Sequence, residues 1–438
     1  MSQRLPGYLP LAYSLPNLVA ALPVLPIAVL LPSWYVSDGK LSLVAVGVAL
    51  GLARFIDFFS DPLVGLLADR TRWRGLRFKH WIVLGAVISA LGLFMLGYPP
   101  SPASATYLCL WSVVLFTGWT ILMVPYTAWG AELADDPHDR SRLTIYRETS
   151  GLAGMLLILS LPFFTSLETS ILERLPLIAL VVGIPALYIS MRWVPERACE
   201  VPGHPQNVVA AFGELFKLRS FRASLACWLI NGIANALPAC LFALVASSFF
   251  GANEVAVNQL LLAYFGAGVL AMPVWLVAAK ILGKILTWRL ALGLAILSFA
   301  PVLLLSPDDL SMFFVICIAS GAMLGADLAL PPSIQADVME IDRLKNKITR
   351  TSSAFAIWSM TTKLSFAVAV ASGFIGLAMF GVNATDGFDA SESKVLLAFY
   401  AMLPITLKLI VSVLLPRLEI LIKLERNAAL DGAQQYSY

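Results

Sequence analysis

Twelve apolar stretches, each long enough to cross a bilayer, follow one another along this chain. Their centres fall roughly at residues 21, 53, 88, 119, 154, 183, 234, 268, 297, 324, 363 and 406. In hydrocarbon every backbone N–H and C=O must find its partner within the protein, so single spans of this length can only be helices. Of the 438 residues, 59% are hydrophobic and 13% charged, a balance that excludes an ordinary soluble protein. The fold expected is an all-α membrane protein of twelve transmembrane helices.

The loops between the spans alternate in charge. One side receives Arg70, Arg72, Arg74, Arg77 and Lys79, then Arg140 and Arg142, then Arg197, Lys217 and Arg219. Lys280, Lys284 and Arg289, then Arg343, Lys345, Lys347 and Arg350, then Lys423 and Arg426 fall on that same side. The opposite loops hold only Lys40, Arg174 and Lys394. The positive-inside rule then places both termini in the cytoplasm. The longest polar connection, Val194 to Arg219 with Pro195, Pro202 and Pro205, separates the sixth span from the seventh. It divides the chain into residues 1–194, a cytoplasmic linker 195–219 and residues 220–438, two bundles of six helices.

The remaining composition narrows the function. The five cysteines are scattered with no CxxC pair, and the three histidines lie in loops or at span ends without zinc-ligand spacing. No nucleophile motif, phosphate loop or metal cluster stands in or beside the spans, so an enzyme is not expected, and no cofactor. The net charge of +3 gives no basis for nucleic-acid binding. The apolar stretch at Leu11–Leu31 lacks a cleavage pattern and leads into further spans. A monomer in a bacterial inner (plasma) membrane is the expected setting.

Against this apolar background the second span is exceptional. Arg54-Phe-Ile-Asp57-Phe-Phe-Ser60-Asp61-Pro62 carries two carboxylates four residues apart, on one face of a helix. An aspartate at a span centre costs about 2.5–3.5 kcal/mol, so the pair costs about 5–7 kcal/mol unless offset. A bound cation, a mobile proton or an ion pair with Arg54 can supply the offset. Carboxylate and hydroxyl oxygens suit a hard cation such as Na⁺, and two neighbouring carboxylates equally suit a shared proton. Lys363 stands alone in the middle of the eleventh span, too central to snorkel easily. Asp327 in the tenth is a candidate partner for it. Helix-disturbing residues mark the first span (Pro10, Pro16, Pro23, Pro26), the seventh (Asn231 to Pro238) and the tenth (Gly325, Pro331, Pro332). Such sites often line a cavity.

Gly65-Leu-Leu-Ala-Asp69-Arg70-Thr71-Arg72, between spans two and three, resembles the loop signature of the major facilitator superfamily. A weaker copy stands at Lys280-Ile-Leu-Gly283-Lys284. The second-span motif is more specific. Together with Val124-Pro125-Tyr126, the run Asp135 to Arg142 leading to Tyr146-Arg147-Glu148, Asn231 to Pro238, and Asp337 to Asp342 followed by Trp358 and Lys363, it resembles the glycoside–pentoside–hexuronide cation symporter family, the melibiose permease group. The resemblance covers nearly the whole chain.

That resemblance implies two six-helix bundles related by a pseudo-two-fold axis, and a symporter driven by Na⁺ or H⁺ that moves a small organic solute by alternating access. It implies a cation site at Asp57, Ser60, Asp61 and Thr120. The solute cavity would draw on Trp119, Tyr126, Arg147, Asn231, Asn235, Asp327, Trp358 and Lys363. Gly65, Asp69, Arg70 and Arg72 would form the gating loop, with Asp69 paired to a basic residue. A sugar or glycoside is the solute class implied. Ala21 and Met123, however, stand where the family's sugar-reading carboxylates are found. A related branch keeps the cation aspartates and carries lysolipids, so a symporter or flippase of an amphiphilic, lipid-like molecule is the alternative. A membrane sensor that has lost transport is a remoter one, opposed by the presence of Asp57, Asp61 and Lys363.

Overall fold

A computed structural model describes residues 5–24, 26–27, 31, 34–35, 41, 43–71, 77–100, 103–134, 136–164, 171–196, 208–346, 350–380 and 390–435. It divides into two compact units, one of Met1–Glu214 with Asn346–Met360, the other of Leu215–Lys345 with Thr361–Tyr438.

The first unit contains α1 (Leu9–Ala21), α2 (Leu43–Arg70), α3 (Lys79–Gly97), α4 (Ala105–Leu133), α5 (Pro137–Phe164) and α6 (Ile171–Trp193). A short helix, α7 (Val208–Lys217), lies in the polar connection. The second unit contains α8 (Arg219–Leu244), α9 (Glu254–Leu282), α10 (Lys284–Phe299) and α11 (Leu310–Asn346). Helix α12 (Thr351–Met379) begins in the first unit and continues in the second. Helix α13 (Ala390–Leu397), a π-helical turn at Ala398–Met402 and α14 (Leu403–Gln435) complete the second unit.

Among the described residues, nine helices are long and apolar enough to cross a membrane. The 29 residues of α4, at 1.5 Å each, reach about 43 Å against a hydrocarbon core of about 30 Å. Three further expected spans also coincide with helices. Helix α1 is short, and α2 and α5 are long but carry charges. Those two charged helices hold Asp57, Asp61 and Arg147. On α9, Leu270, Val274, Val277 and Ile281 form an exposed apolar stripe, the kind of face that lipid covers.

Within the first unit α3 packs on α4, α2 on α4, and α1 on α5 and α6. Glycine permits the closest of these approaches. A Cβ at Gly118 would lie 2.5 Å from Ser89 N, and one at Gly85 would lie 2.7 Å from Gly118 O. The unit's core gathers Leu22, Ala53, Leu93, Leu115, Ile158 and Leu175. In the second unit α8 and α10 pack on α14. Phe250 and Phe313 stack there with ring centroids 4.5 Å apart. Gly283, at φ +82°, turns the chain between α9 and α10 in a conformation that favours glycine. Asn231 to Pro238 and the stretch around Pro331 and Pro332 lie inside continuous helices, while α1 ends at Ala21, before Pro23.

Several helix N-termini are closed by carboxylates. Glu196 accepts the N–H groups of Arg77, Phe78 and Lys79 at the start of α3. Glu425, near the end of α14, accepts those of Arg219 and Ser220 at the start of α8. Asp136 caps its own helix α5 by accepting the N–H groups of His138 and Asp139. These contacts satisfy donors that the helices leave open and place negative charge at the positive end of each dipole.

Candidate functional site

Helix α2 turns Asp57 and Asp61 toward α4. Both are buried, at 2% and 0% exposure, and so is Thr120 at 1%. The Thr120 hydroxyl lies 3.0 Å from Asp57 Oδ1 and 2.8 Å from Asp61 Oδ1. A hydroxyl carries one hydrogen and can donate to only one of these oxygens at a time. Pro62 follows directly and has no N–H to offer the Phe58 carbonyl, which loosens the helix beside the pair.

Arg54 makes a long ion pair with Asp57. Its Nη1 is 3.8 Å from Asp57 Oδ2, beyond hydrogen-bond distance, and its side chain is 58% exposed. The guanidinium also lies over the Phe116 ring, 3.8 Å from the centroid. Ser60, expected beside the carboxylates, donates its hydroxyl to the Asp57 backbone carbonyl at 2.8 Å.

Tyr126 is fully buried and stacks on Tyr13. Each tyrosine hydroxyl donates to the other's backbone carbonyl, at 3.0 and 2.6 Å, so the pair clasps α1 to α4. Arg147 is buried and gives Nε and Nη2 to Glu148 Oε1 at 2.9 and 2.5 Å. Trp129 is buried as well, its Nε1 donating to the Pro195 carbonyl. Trp119 and Lys363 are half-buried, and Trp358 is buried.

Asn231, Asn235 and Asp327 come together in the second unit. The Asp327 partner is Lys408 of α14, at 2.7 Å, where Lys363 had been the sequence candidate. Trp288 of α10 also donates to Asp327, at 2.8 Å. Neither Lys408 nor Trp288 was picked out in the sequence. Lys408 carried the same signal as Lys363, a lone cation in an apolar span.

At the signature loop, Gly65 faces the start of α12, where a Cβ on it would lie 2.5 Å from Ala356 Cβ. One turn on, the Asp69 carboxylate accepts the N–H groups of Ser352 and Ser353 at 3.0 and 2.7 Å and the Ser353 hydroxyl. Its basic partner is Arg77, which also reaches Glu132 Oε1 at 3.1 Å. Arg70 closes α2, and Arg72 lies outside the described residues. In the second half Lys284 pairs with Asp337 and donates to the Ser333 carbonyl at 3.3 Å.

A family model described as MFS/sugar transport protein matches residues 12–421. The chain belongs to that family. Among relatives, the inner membrane symporter YicJ of Escherichia coli is 33% identical over 116 residues, 26% of this chain and 25% of the relative. The putative glycoside/cation symporter YagG of the same organism is 31% identical over 132 residues, 30% of this chain and 29% of the relative. The matched segments thus span less than a third of either relative. The sodium-dependent lysophosphatidylcholine symporter 1-B of Danio rerio is 23% identical over 426 residues, covering 83% of this chain and 76% of the relative.

Solved structures show the major facilitator fold. A bacterial homologue of the iron transporter ferroportin aligns with a TM-score of 0.67 at 14% identity, over 94% of this chain and 98% of the other. The E. coli fucose:proton symporter FucP aligns at 0.66 and 13% identity, over 92% and 97%. This MFS/sugar transport protein family member is accordingly a multi-pass integral membrane protein with the helices of that fold.

Proposed function

We propose that this chain is a secondary active transporter that couples Na⁺ or H⁺ to movement of a small organic solute by alternating access. The observation that carries the reading is Thr120, set between two buried carboxylates with one hydrogen to share between them. Asp57 and Asp61 hold the coupling ion, and Thr120 supplies a third oxygen. Ser60 joins them when its hydroxyl turns from the Asp57 carbonyl. An oxygen set of this kind suits an alkali cation or a proton better than a transition metal. With the ion bound, the cost of two carboxylates in the span is offset.

Gly65, Asp69, Arg70 and Arg72 serve as the gating loop, acting through the start of α12. Trp119, Trp358 and Lys363 meet the solute. Both termini face the cytoplasm, and the setting is a bacterial inner membrane. The name of YagG, a putative glycoside/cation symporter, and the description of the family favour a sugar or glycoside.

A second solute reading rests on α1 and α4. Ala21 is buried on α1, and Met123 sits on α4, at the two places where a carboxylate would read sugar hydroxyls. An amphiphilic, lipid-like solute fits that loss and the long match to the lysophosphatidylcholine symporter. A thermal-shift screen of the purified protein with sugars, glycosides and lysolipids, with and without Na⁺ and at two pH values, decides among these. Transport coupling predicts a solute whose stabilising effect grows with one of the two cations. Stabilisation by solutes that no cation alters, across the whole screen, would contradict it.

A further inference from the structure

The second unit holds a polar cluster that the proposed cation site does not use. Asn231 and Asn235 stand one turn apart on α8, Trp288 on α10, Asp327 on α11 and Lys408 on α14. Asp327 Oδ1 accepts from Asn231 Nδ2 at 2.9 Å and from Trp288 Nε1 at 2.8 Å. Asp327 Oδ2 accepts from Asn235 Nδ2 at 2.9 Å and from Lys408 Nζ at 2.7 Å. Each carboxylate oxygen thus receives two donors, and the carboxylate's capacity is filled. Lys408 in turn spreads its three N–H donors over Asp327, Asn235 Oδ1 at 2.7 Å and Asn231 Oδ1 at 3.4 Å. Both asparagines point their nitrogen at the carboxylate and their oxygen at the ammonium.

From this closed pattern we infer that Asp327 and Lys408 form a charge-neutral clamp that fixes α8, α10, α11 and α14 together and holds the Asn231 and Asn235 amides in one orientation. Asp327 then carries neither solute nor coupling ion, because either would have to displace a hydrogen bond already made. Asn231 and Asn235 leave the solute cavity for the same reason. The two charges require each other. Breaking a buried pair by removing one partner strands the other charge, whereas removing both does not.

The test is a suppressor experiment on the full-length protein in detergent, read as apparent Tm and as folded yield by size-exclusion chromatography. Asp327→Asn and Lys408→Gln alone each lower Tm by about 10 °C or abolish folded yield. The double variant D327N/K408Q recovers at least half of that loss. It also keeps the wild-type change in Tm on adding Na⁺ or lowering pH, a readout that belongs to Asp57 and Asp61. A double variant no more stable than the worse single variant, or one that never folds, overturns the clamp. So does a double variant that is stable but has lost the cation response, which would assign the pair to coupling. The Tm comparison stands whatever the wild-type response to cations, so failure of the clamp and failure of the transport reading are told apart.

Discussion

Asp69 caps helix α12 through Ser353: its carboxylate accepts both the backbone N–H, at 2.7 Å, and the hydroxyl of that residue, 284 positions along the chain. The same carboxylate holds Arg77. A charge-assisted bond of this kind contributes about 1.5–3 kcal/mol, and a helix cap about 1 kcal/mol. Asp69→Ala is therefore expected to lower thermal stability strongly, Asp69→Asn less, and Ser353→Ala least, since the backbone bond survives. Tm measured on the three variants checks the order. Equal effects from Asp69→Ala and Ser353→Ala would remove the cap from the account.

Glu425 does the same for α8, and it does so from the final helix. Truncation after Asn427 is expected to leave Tm unchanged. Truncation after Leu424, or Glu425→Gln, is expected to cost about 1 kcal/mol or more, by loss of the charged acceptor at two N–H groups. Thermal unfolding of the two truncated chains compares them directly. An equally large loss after Asn427 would locate the effect in the tail rather than in Glu425.

The contact of α3 with α4 depends on glycine. Gly118→Leu is expected to reduce folded yield sharply, because a Cβ there already meets the Ser89 backbone at 2.5 Å. Gly266→Ala, with nothing within 4 Å, is the control and is expected to be within about 0.5 kcal/mol of wild type or more stable. Membrane-fraction yield and Tm of the pair check this. A Gly118→Leu protein of normal stability would show that α3 and α4 are free to separate.

Topology is open to a separate check. Reporter fusions after Arg77 and after Arg219 are expected to report the cytoplasm, and one after Gly251 the outside. A signal from outside at Arg219 would overturn the orientation read from the loops.

Much of this was legible in the residues, for physical reasons. A bilayer imposes long apolar helices, so the spans could be counted before any packing was known. Asp57 and Asp61 stood out because buried charge is expensive, and the same expense should have singled out Lys408. Glu148 sat next to Arg147 in the chain, yet the arginine was assigned to solute. Tyr126 was read as a cavity aromatic because nothing local shows that Tyr13, 113 residues away, stacks on it. The same limit applies to Asp69 and Ser353, and to Trp288. Their partners are set by how helices approach, and spacing along the chain does not encode that.

In the proposed mechanism Asp57 and Asp61 couple an ion to transport. Its most direct measurement is gradient-driven uptake into proteoliposomes of whichever solute the thermal-shift screen identifies, under an inward Na⁺ or H⁺ gradient, for wild type, Asp57→Asn and Asp61→Asn. The account predicts that wild type accumulates solute, while both variants fold with Tm at or above wild type and lose accumulation by about tenfold or more, since each lacks one carboxylate for the ion. Accumulation at the wild-type level by either variant would contradict it.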